Sequence, residues 1–253
     1  MNIICFLTLR PSLLFYNFCK TLINESYEVY ICIDDNSYTI PSYTINNPHE
    51  SIKIIKIDNK ECIDKGFKSS VLNFQNKACS RDKSIYYFCR KYDNTKKYEN
   101  IWFIEEDVFI PTPTTLIDID NKYNSGDLLC RTQSICDNNN LKGIYNLIKN
   151  KIKVNTPYIH SMICAIRVSH KWMDSINNYV NKYNELCFDE VLFPSIAKEN
   201  NLTIINPEEL SSIYYKKNWK TNHIKKYNIY HPIKDINTQY KYRSDLLINA
   251  SKK

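Results

Sequence analysis

Glycine is nearly missing from this sequence: three in 253 residues, at Gly66, Gly126 and Gly143, where average usage of roughly 7% would give about eighteen. That shortage removes whole classes of site. Neither a G-x-G-x-x-G dinucleotide fingerprint nor a Gly-rich phosphate loop can be built, because each needs several glycines within a few residues. Collagen-like repeats, Gly-rich linkers and glycine-zipper membrane helices are excluded with them. A phosphorylated ligand would have to be met by side chains and a metal ion, not by bare backbone.

Other scarcities narrow the field further. Arginine occurs only at Arg10, Arg81, Arg90, Arg131, Arg167 and Arg243, so the net charge of +7 comes chiefly from lysine. Lysine, asparagine, isoleucine and tyrosine are abundant and all have AT-rich codons. Genome base composition therefore accounts for the basic charge, and the lysines are spread along the chain instead of forming a nucleic-acid stripe. The ten cysteines contain no C-x-x-C pair, which argues against a zinc ribbon or a thioredoxin-type dithiol. Cys5, Cys32 and Cys164 sit inside apolar runs, where a free thiol acts as a small hydrophobe. A reducing cytosol is the expected compartment. No window approaches the roughly 18 apolar residues that span a membrane. The apolar start of the chain has no basic leader region and is broken by Arg10, unlike a signal peptide.

What is present is a chain able to bury a core, with 43% hydrophobic and 24% charged residues. Short apolar runs at 2–8, 27–33, 52–57 and 101–104 read as strands. Helical patterns fall between them at 11–25 and 80–92, where Ile85, Phe88, Cys89 and Tyr92 share one face. That alternation predicts an α/β fold with a mostly parallel central sheet flanked by helices. Further on, strands are expected near 127–131, 161–168 and 202–205, and helices near 170–184 and 189–200. With no repeat and no linker, the expectation is a single domain over 1–253: a nucleotide-binding half at 1–110, an acceptor and catalytic half at 111–236, and a tail at 237–253.

The strongest chemical signal is Ile101-Trp-Phe-Ile-Glu105-Glu106-Asp107. Three carboxylates follow an apolar strand, and ligands of open α/β sheets bind at the carboxyl ends of strands. Clustered carboxylates repel one another and call for a cation. Hard oxygen donors suit Mg²⁺ or Mn²⁺ together with a substrate phosphate. In an extended backbone Glu105 and Asp107 point to the same side.

Continued through Val108-Phe109-Ile110, this segment resembles the acidic D-x-D-type metal motif of GT-A glycosyltransferases. It closely resembles the W-F-I-E-D-D-V form in glycosyltransferase-like proteins of large DNA viruses, bacteria and plants. Three further segments agree in order: Asp34-Asp35, Ser80-Arg81-Asp82-Lys83-Ser84-Ile85-Tyr86-Tyr87-Phe88, and Tyr230-His231-Pro232-Ile233-Lys234. The resemblance covers roughly residues 1–236. It implies a GT-A-like, Rossmann-type fold that uses Mn²⁺ or Mg²⁺ and a nucleotide-diphospho-sugar donor, with a glycan or glycoprotein acceptor. If the chain is viral, the compartment is the host cytoplasm.

Residue by residue, the resemblance implies that Asp107 binds metal, with Glu105 directly or through water, and that His231 completes the site. Thr8, Arg10, Asp34, Asp35, Arg81, Asp82, Lys83, Glu105, Glu106 and Lys234 become candidates for holding the nucleotide sugar. Glu105-Glu106 stand where the motif usually has more Asp, so which carboxylate meets metal and which meets ribose stays open. An inverting reaction also needs a general base. Glu190, on an apolar helical face with Leu186, Phe193 and Ala197, ranks ahead of Asp189 for that role. Competing readings are a sugar-nucleotide nucleotidyltransferase, which usually carries a Gly-rich signature absent after the first strand here, a metal-dependent phosphodiesterase, and an inactive nucleotide-sugar-binding module.

Overall fold

A computed structural model describes residues 1–41, 52–71, 79–91 and 98–250, with no side-chain detail for residues 249 and 250. Tyr92, expected on the second helix, lies outside the described residues. Four strands run parallel: β1 (Asn2–Thr8), β2 (Tyr27–Ile33), β3 (Lys53–Lys56) and β4 (Asn100–Glu105). β5 (Leu128–Leu129) and β9 (Ile204–Ile205) pair parallel to each other, and β8 (Ala165–Ser169) is antiparallel to both β4 and β5. The seven-stranded order is β3-β2-β1-β4-β8-β5-β9, and β6 (Ser134–Cys136) and β7 (Tyr158–His160) form a separate antiparallel pair. The expected mostly parallel sheet is therefore present.

Strand alternation builds two cores, one on each face of the sheet. Ile3, Cys5 and Leu7 of β1 join Tyr30, Cys32, Ile101 and Phe103. Helices α3 (Ser80–Tyr86), α6 (His170–Tyr183) and α7 (Asp189–Glu199) cover that face through residues such as Ile85, Ile176 and Leu192. Ile4 and Phe6 point the other way, to Val29, Ile31, Trp102 and Ile104. There α1 (Leu13–Lys20) contributes Phe15 and Phe18, and α4 (Thr115–Lys122) contributes Leu116 and Ile119. Short helices α2 (Asn59–Asp64) and α5 (Lys142–Ile148) complete the periphery before the last helix.

Helix starts follow from local chemistry. Ser12 and Ser169 accept from the backbone N–H three residues on, capping α1 and α6. Asp82 accepts from the Cys79 N–H to close a capping box on α3. α3 then continues as a π-turn over Tyr87–Lys91. Residues 237–253, read as a tail, are helical as far as Ala250: α8 (Ile236–Ala250) packs against a third aromatic cluster of Phe109, Trp219 and Tyr230. No helix of the described residues is long and apolar enough to cross a membrane.

Two of the three glycines are structural. Gly66 has φ 84°, and a Cβ there would come within 2.8 Å of Asn184 Oδ1. At Gly126 a Cβ would meet Leu129 Cδ1 at 2.4 Å. All ten cysteines are free, and Cys5 and Cys32 lie side by side across β1 and β2 with Sγ atoms 3.4 Å apart.

Polar side chains divide between the two ends of the sheet. At the amino end Arg167, wholly buried, donates to Asp120 Oδ1 at 2.9 Å and to the carbonyls of Tyr123 and Gly126. Asp120 also accepts from Trp102, Asn2 and Tyr27. Among the described residues, only the Arg167 Nε in that network has no hydrogen-bond partner. The carboxyl end is different in kind.

Candidate functional site

β1 lies between β2 and β4, so the strand order reverses direction beside it and opens a crevice at the carboxyl ends. Thr8 ends β1, Asp34 follows β2, and Glu105 ends β4. β4 is buried from Asn100 to Ile104, and exposure begins at Glu105. The sequence thus buries a rigid apolar strand and presents its acidic end to the crevice.

Backbone stitching brings a distant segment to this end. Phe109 and Tyr230 exchange both hydrogen bonds, at 2.8 and 3.1 Å, and the Ile233 N–H donates to the Asp107 carbonyl at 2.8 Å. His231 is thereby held beside the acidic loop. Its Nε2 lies 3.3 Å from Asp107 Oδ1 and 3.7 Å from Glu105 Oε2. Its Nδ1 lies 2.6 Å from the Tyr214 carbonyl, which can only accept, so Nδ1 carries the proton. The neutral ring then turns the Nε2 lone pair toward the two carboxylates. Burial works against the imidazolium, but Asp107, the Tyr214 carbonyl and Glu105 outweigh it and raise the His231 pKa.

Helix α8 supports this loop from behind. Gln239 Nε2 donates to the Glu106 carbonyl at 3.0 Å and to the Ile233 carbonyl at 2.9 Å. Arg243 donates to the Ile110 carbonyl at 3.0 Å, and its guanidinium lies over the Phe18 and Phe109 rings. Burial lowers the Arg243 pKa to about 9.

The other face of Glu105 is set by Arg81. The guanidinium donates to Glu105 Oε1 at 2.5 Å and to Asp189 Oδ2 at 2.6 Å. Burial opposes its charge, yet Asp189 and Glu105 raise the Arg81 pKa well above its ordinary value. Asp82 is 1% exposed, and its Oδ1 has no hydrogen-bond partner. Burial first and the neighbouring Asp189 second push its pKa up to about 7. Asp34 receives Lys83 at 2.6 and 2.7 Å and the Ser80 hydroxyl at 3.0 Å. Glu106 turns to Thr8, which donates to its carboxylate, and burial raises the Glu106 pKa.

The remaining candidates lie around this centre. Arg10 and Asp35 form an exposed ion pair at 2.5 Å, with the Asp35 pKa lowered to about 2 by hydrogen bonds from Ser37 and Arg10. Lys234 is exposed on the stitched segment. Glu190 accepts from or donates to His160 Nε2 at 3.1 Å according to the tautomer and protonation state, with both side chains about one-seventh exposed. Thr8, Glu105, Glu106, Asp107 and His231 are joined through one loop. Arg81, Asp189, Lys83 and Asp34 form its charged wall.

Sequence reasoning missed Cys164, His160, Tyr214 and Gln239. Ligand atoms of Glu105, Cys164 and His231 all lie within 4.8 Å of one another. Cys164 reads as core because its run is apolar, and it is indeed 4% exposed. His160 stands alone in sequence, with no spacing to mark it. Only tertiary structure pairs Tyr214 and Gln239 with the site.

No protein-family model and no curated protein matches this chain. Similar solved structures include mouse xyloside xylosyltransferase 1 in its apo form, at 10% identity and TM-score 0.44 over 82% of this chain and 85% of that one. A second is a glycosyltransferase involved in glycosylation of the major capsid of PBCV-1, at 9% identity and TM-score 0.44 over 96% and 98%. A third is an active-site mutant of LgtC, at 12% identity and TM-score 0.40 over 81% and 72%. Likeness of that degree assigns no activity; the side chains have to do so.

Proposed function

We propose that this chain is a metal-dependent glycosyltransferase that moves a sugar from a nucleotide diphosphate, with UDP favoured, to a hydroxyl of a glycan or glycoprotein. One observation carries the reading. Glu105, Asp107 and the lone-pair face of His231 converge at the carboxyl end of the central strand, beside the reversal of strand order.

The donor set fits a divalent ion. Two carboxylates and one neutral imidazole, with its tautomer fixed by the Tyr214 carbonyl, offer oxygen and nitrogen ligands on one side and leave the crevice side for substrate. Glu105, Asp107 and His231 would hold Mn²⁺ or Mg²⁺. When bound, the ion neutralises charge on the diphosphate as it leaves.

The chain's own residues do the rest. Arg81 fixes one Glu105 oxygen and leaves the other aimed at His231. Thr8 orients Glu106, and α8 holds the loop through Gln239. Lys234 is the exposed ammonium best placed to reach phosphate, because its segment is stitched to Asp107. Arg10 and Asp35 mark the rim where base or ribose would lie. Lys83 and Arg81 are engaged by carboxylates, so their role toward the nucleotide is to position Asp34, Glu105 and Asp189. For inversion, Glu190 with His160 is the pair that would take the acceptor proton. Asp189 is held by Arg81, which ranks it second.

Titration calorimetry with UDP and GDP, with and without Mn²⁺, tests the reading. Metal-dependent binding that Asp107→Ala abolishes is expected. Absence of binding by any nucleoside diphosphate in either condition would sink it. Release of pyrophosphate from a nucleoside triphosphate and a sugar phosphate would favour the nucleotidyltransferase alternative. Donor binding without transfer or hydrolysis would favour an inactive module.

A further inference from the structure

Beside the two carboxylates and the histidine, the same wall carries a thiol. Cys164 immediately precedes β8, and its carbonyl accepts the Glu105 N–H at 2.9 Å, which fixes the two residues edge to edge. Its Sγ, a Glu105 oxygen and a His231 nitrogen lie mutually within 4.8 Å. The imidazole nitrogen facing this group is the unprotonated one in the neutral ring.

We propose that Cys164 makes this centre a site for thiophilic ions, zinc above all, in which Glu105, Cys164 and His231 are the protein ligands. The inference rests on the metal-centre reading above and adds the sulfur to it. The geometry agrees. Zinc ligands at about 2.0–2.3 Å in a tetrahedron stand roughly 3.3–3.8 Å from one another. The 3.7 Å separation between His231 Nε2 and Glu105 Oε2 falls in that range, and the sulfur lies within 4.8 Å of both residues' ligand atoms. Hard ions such as Mg²⁺ and Mn²⁺ prefer oxygen and gain little from sulfur, whereas zinc gains a strong ligand. On binding, the Cys164 thiol gives its proton to solvent and the thiolate takes its place on the ion.

The consequence is an antagonism. Zinc held through Cys164 takes Glu105 and His231, the same side chains a hard ion would need. Zinc therefore competes with Mn²⁺ for this centre.

X-ray absorption at the zinc edge on the wild-type protein, loaded with one equivalent of Zn²⁺, reads the sulfur directly. One sulfur at about 2.3 Å beside oxygen and nitrogen neighbours at about 2.0–2.1 Å is expected. A shell of oxygen and nitrogen alone overturns the proposal without any variant. Cobalt gives a second reading: a sulfur-to-metal charge-transfer band in the near ultraviolet, absent in Cys164→Ser and Cys164→Ala. A band that survives both substitutions assigns the sulfur to another cysteine and overturns the proposal. UDP titration of the same samples separates the two readings. Mn²⁺-dependent UDP binding together with a sulfur-free zinc shell refutes only the thiol ligand. A zinc–sulfur shell in a protein that binds no nucleoside diphosphate refutes only the transferase.

Discussion

Replacing Asp82 by asparagine is expected to stabilise this protein, but only as the pH rises. The carboxyl group is buried, one oxygen accepts from the Cys79 N–H at 3.2 Å, and the other has no donor. Burial and then Asp189 push its pKa up to about 7, against about 3.9 in an unfolded chain. Between those values the folded state binds the extra proton, so stability falls as pH rises through the window. A gap of about three units at about 1.4 kcal/mol each puts the ceiling on the cost of ionisation near 4 kcal/mol. Asparagine keeps an oxygen for Cys79 and removes the ionisable proton. Urea unfolding of wild type and Asp82→Asn should therefore give similar stabilities near about pH 3, below both pKa values, with the variant ahead by about 1.5 kcal/mol near about pH 5 and by up to about 4 kcal/mol near about pH 8. All other titrating groups are common to both proteins, so the difference isolates this one. Curves that run parallel across the range, or a variant weaker at high pH, would refute the argument.

Two further outcomes follow from the loop that carries Asp107. Gln239→Leu strips the donor from two carbonyls, those of Glu106 and Ile233; with one or both left unsatisfied the cost should be about 2–4 kcal/mol. It should also weaken Mn²⁺ binding although no ligand has changed. Unfolding and metal titrations on one preparation check this, and an unaltered metal affinity would mean that α8 does not position the loop. His231 supplies a pH dependence. Its pKa is raised in the metal-free protein, so the imidazolium contributes stability that is complete below about 6.5 and is lost as pH rises through the higher folded value. Metal requires the neutral ring, so Mn²⁺ affinity should fall as the pH drops through that value, with proton release on binding. Calorimetry in buffers of different ionisation heat counts those protons, and an affinity constant between about pH 6 and 8 would remove His231 from the centre.

The sheet and the acidic end of β4 are legible in the sequence because local pattern decides them. Ile101 to Ile104 is apolar at every position, which marks a doubly buried strand. Three carboxylates immediately after it mark the crevice. Helix α8 is not legible, for a specific reason. The residues it turns inward at helical spacing are Gln239, Tyr242, Arg243 and Leu246. Half of that face is polar, satisfied by carbonyls and aromatic rings far away in sequence, so a search for apolar periodicity passes over it. α4 is hidden differently: eight residues with Leu116 and Ile119 on one face are too few to separate from a loop. At the site, sequence names the charges but not their partners. Arg81 and Lys83 look like free cations for phosphate until the fold sets them against Asp189 and Asp34.

That pairing changes what the site requires. Asp34, Glu105, Asp107 and Asp189 face two engaged cations, Arg81 and Lys83, at one end of the sheet. The cations are consumed in holding carboxylates still, and the acidic loop keeps an excess of negative charge. A diphosphate brought there meets repulsion that Lys234, exposed and singly charged, cannot offset alone. The backbone cannot help, because the glycines that would let it cradle phosphate are elsewhere: Gly66 in a left-handed turn beside Asn184, Gly126 packed against Leu129 and Ile205, and Gly143 in a peripheral helix. A divalent ion is the one addition that reverses the sign of the loop and accepts phosphate oxygens together. On the proposed function, metal dependence would follow from the charge balance at this end of the sheet. It should be steep: without the ion the same residues that build the centre should repel the nucleotide.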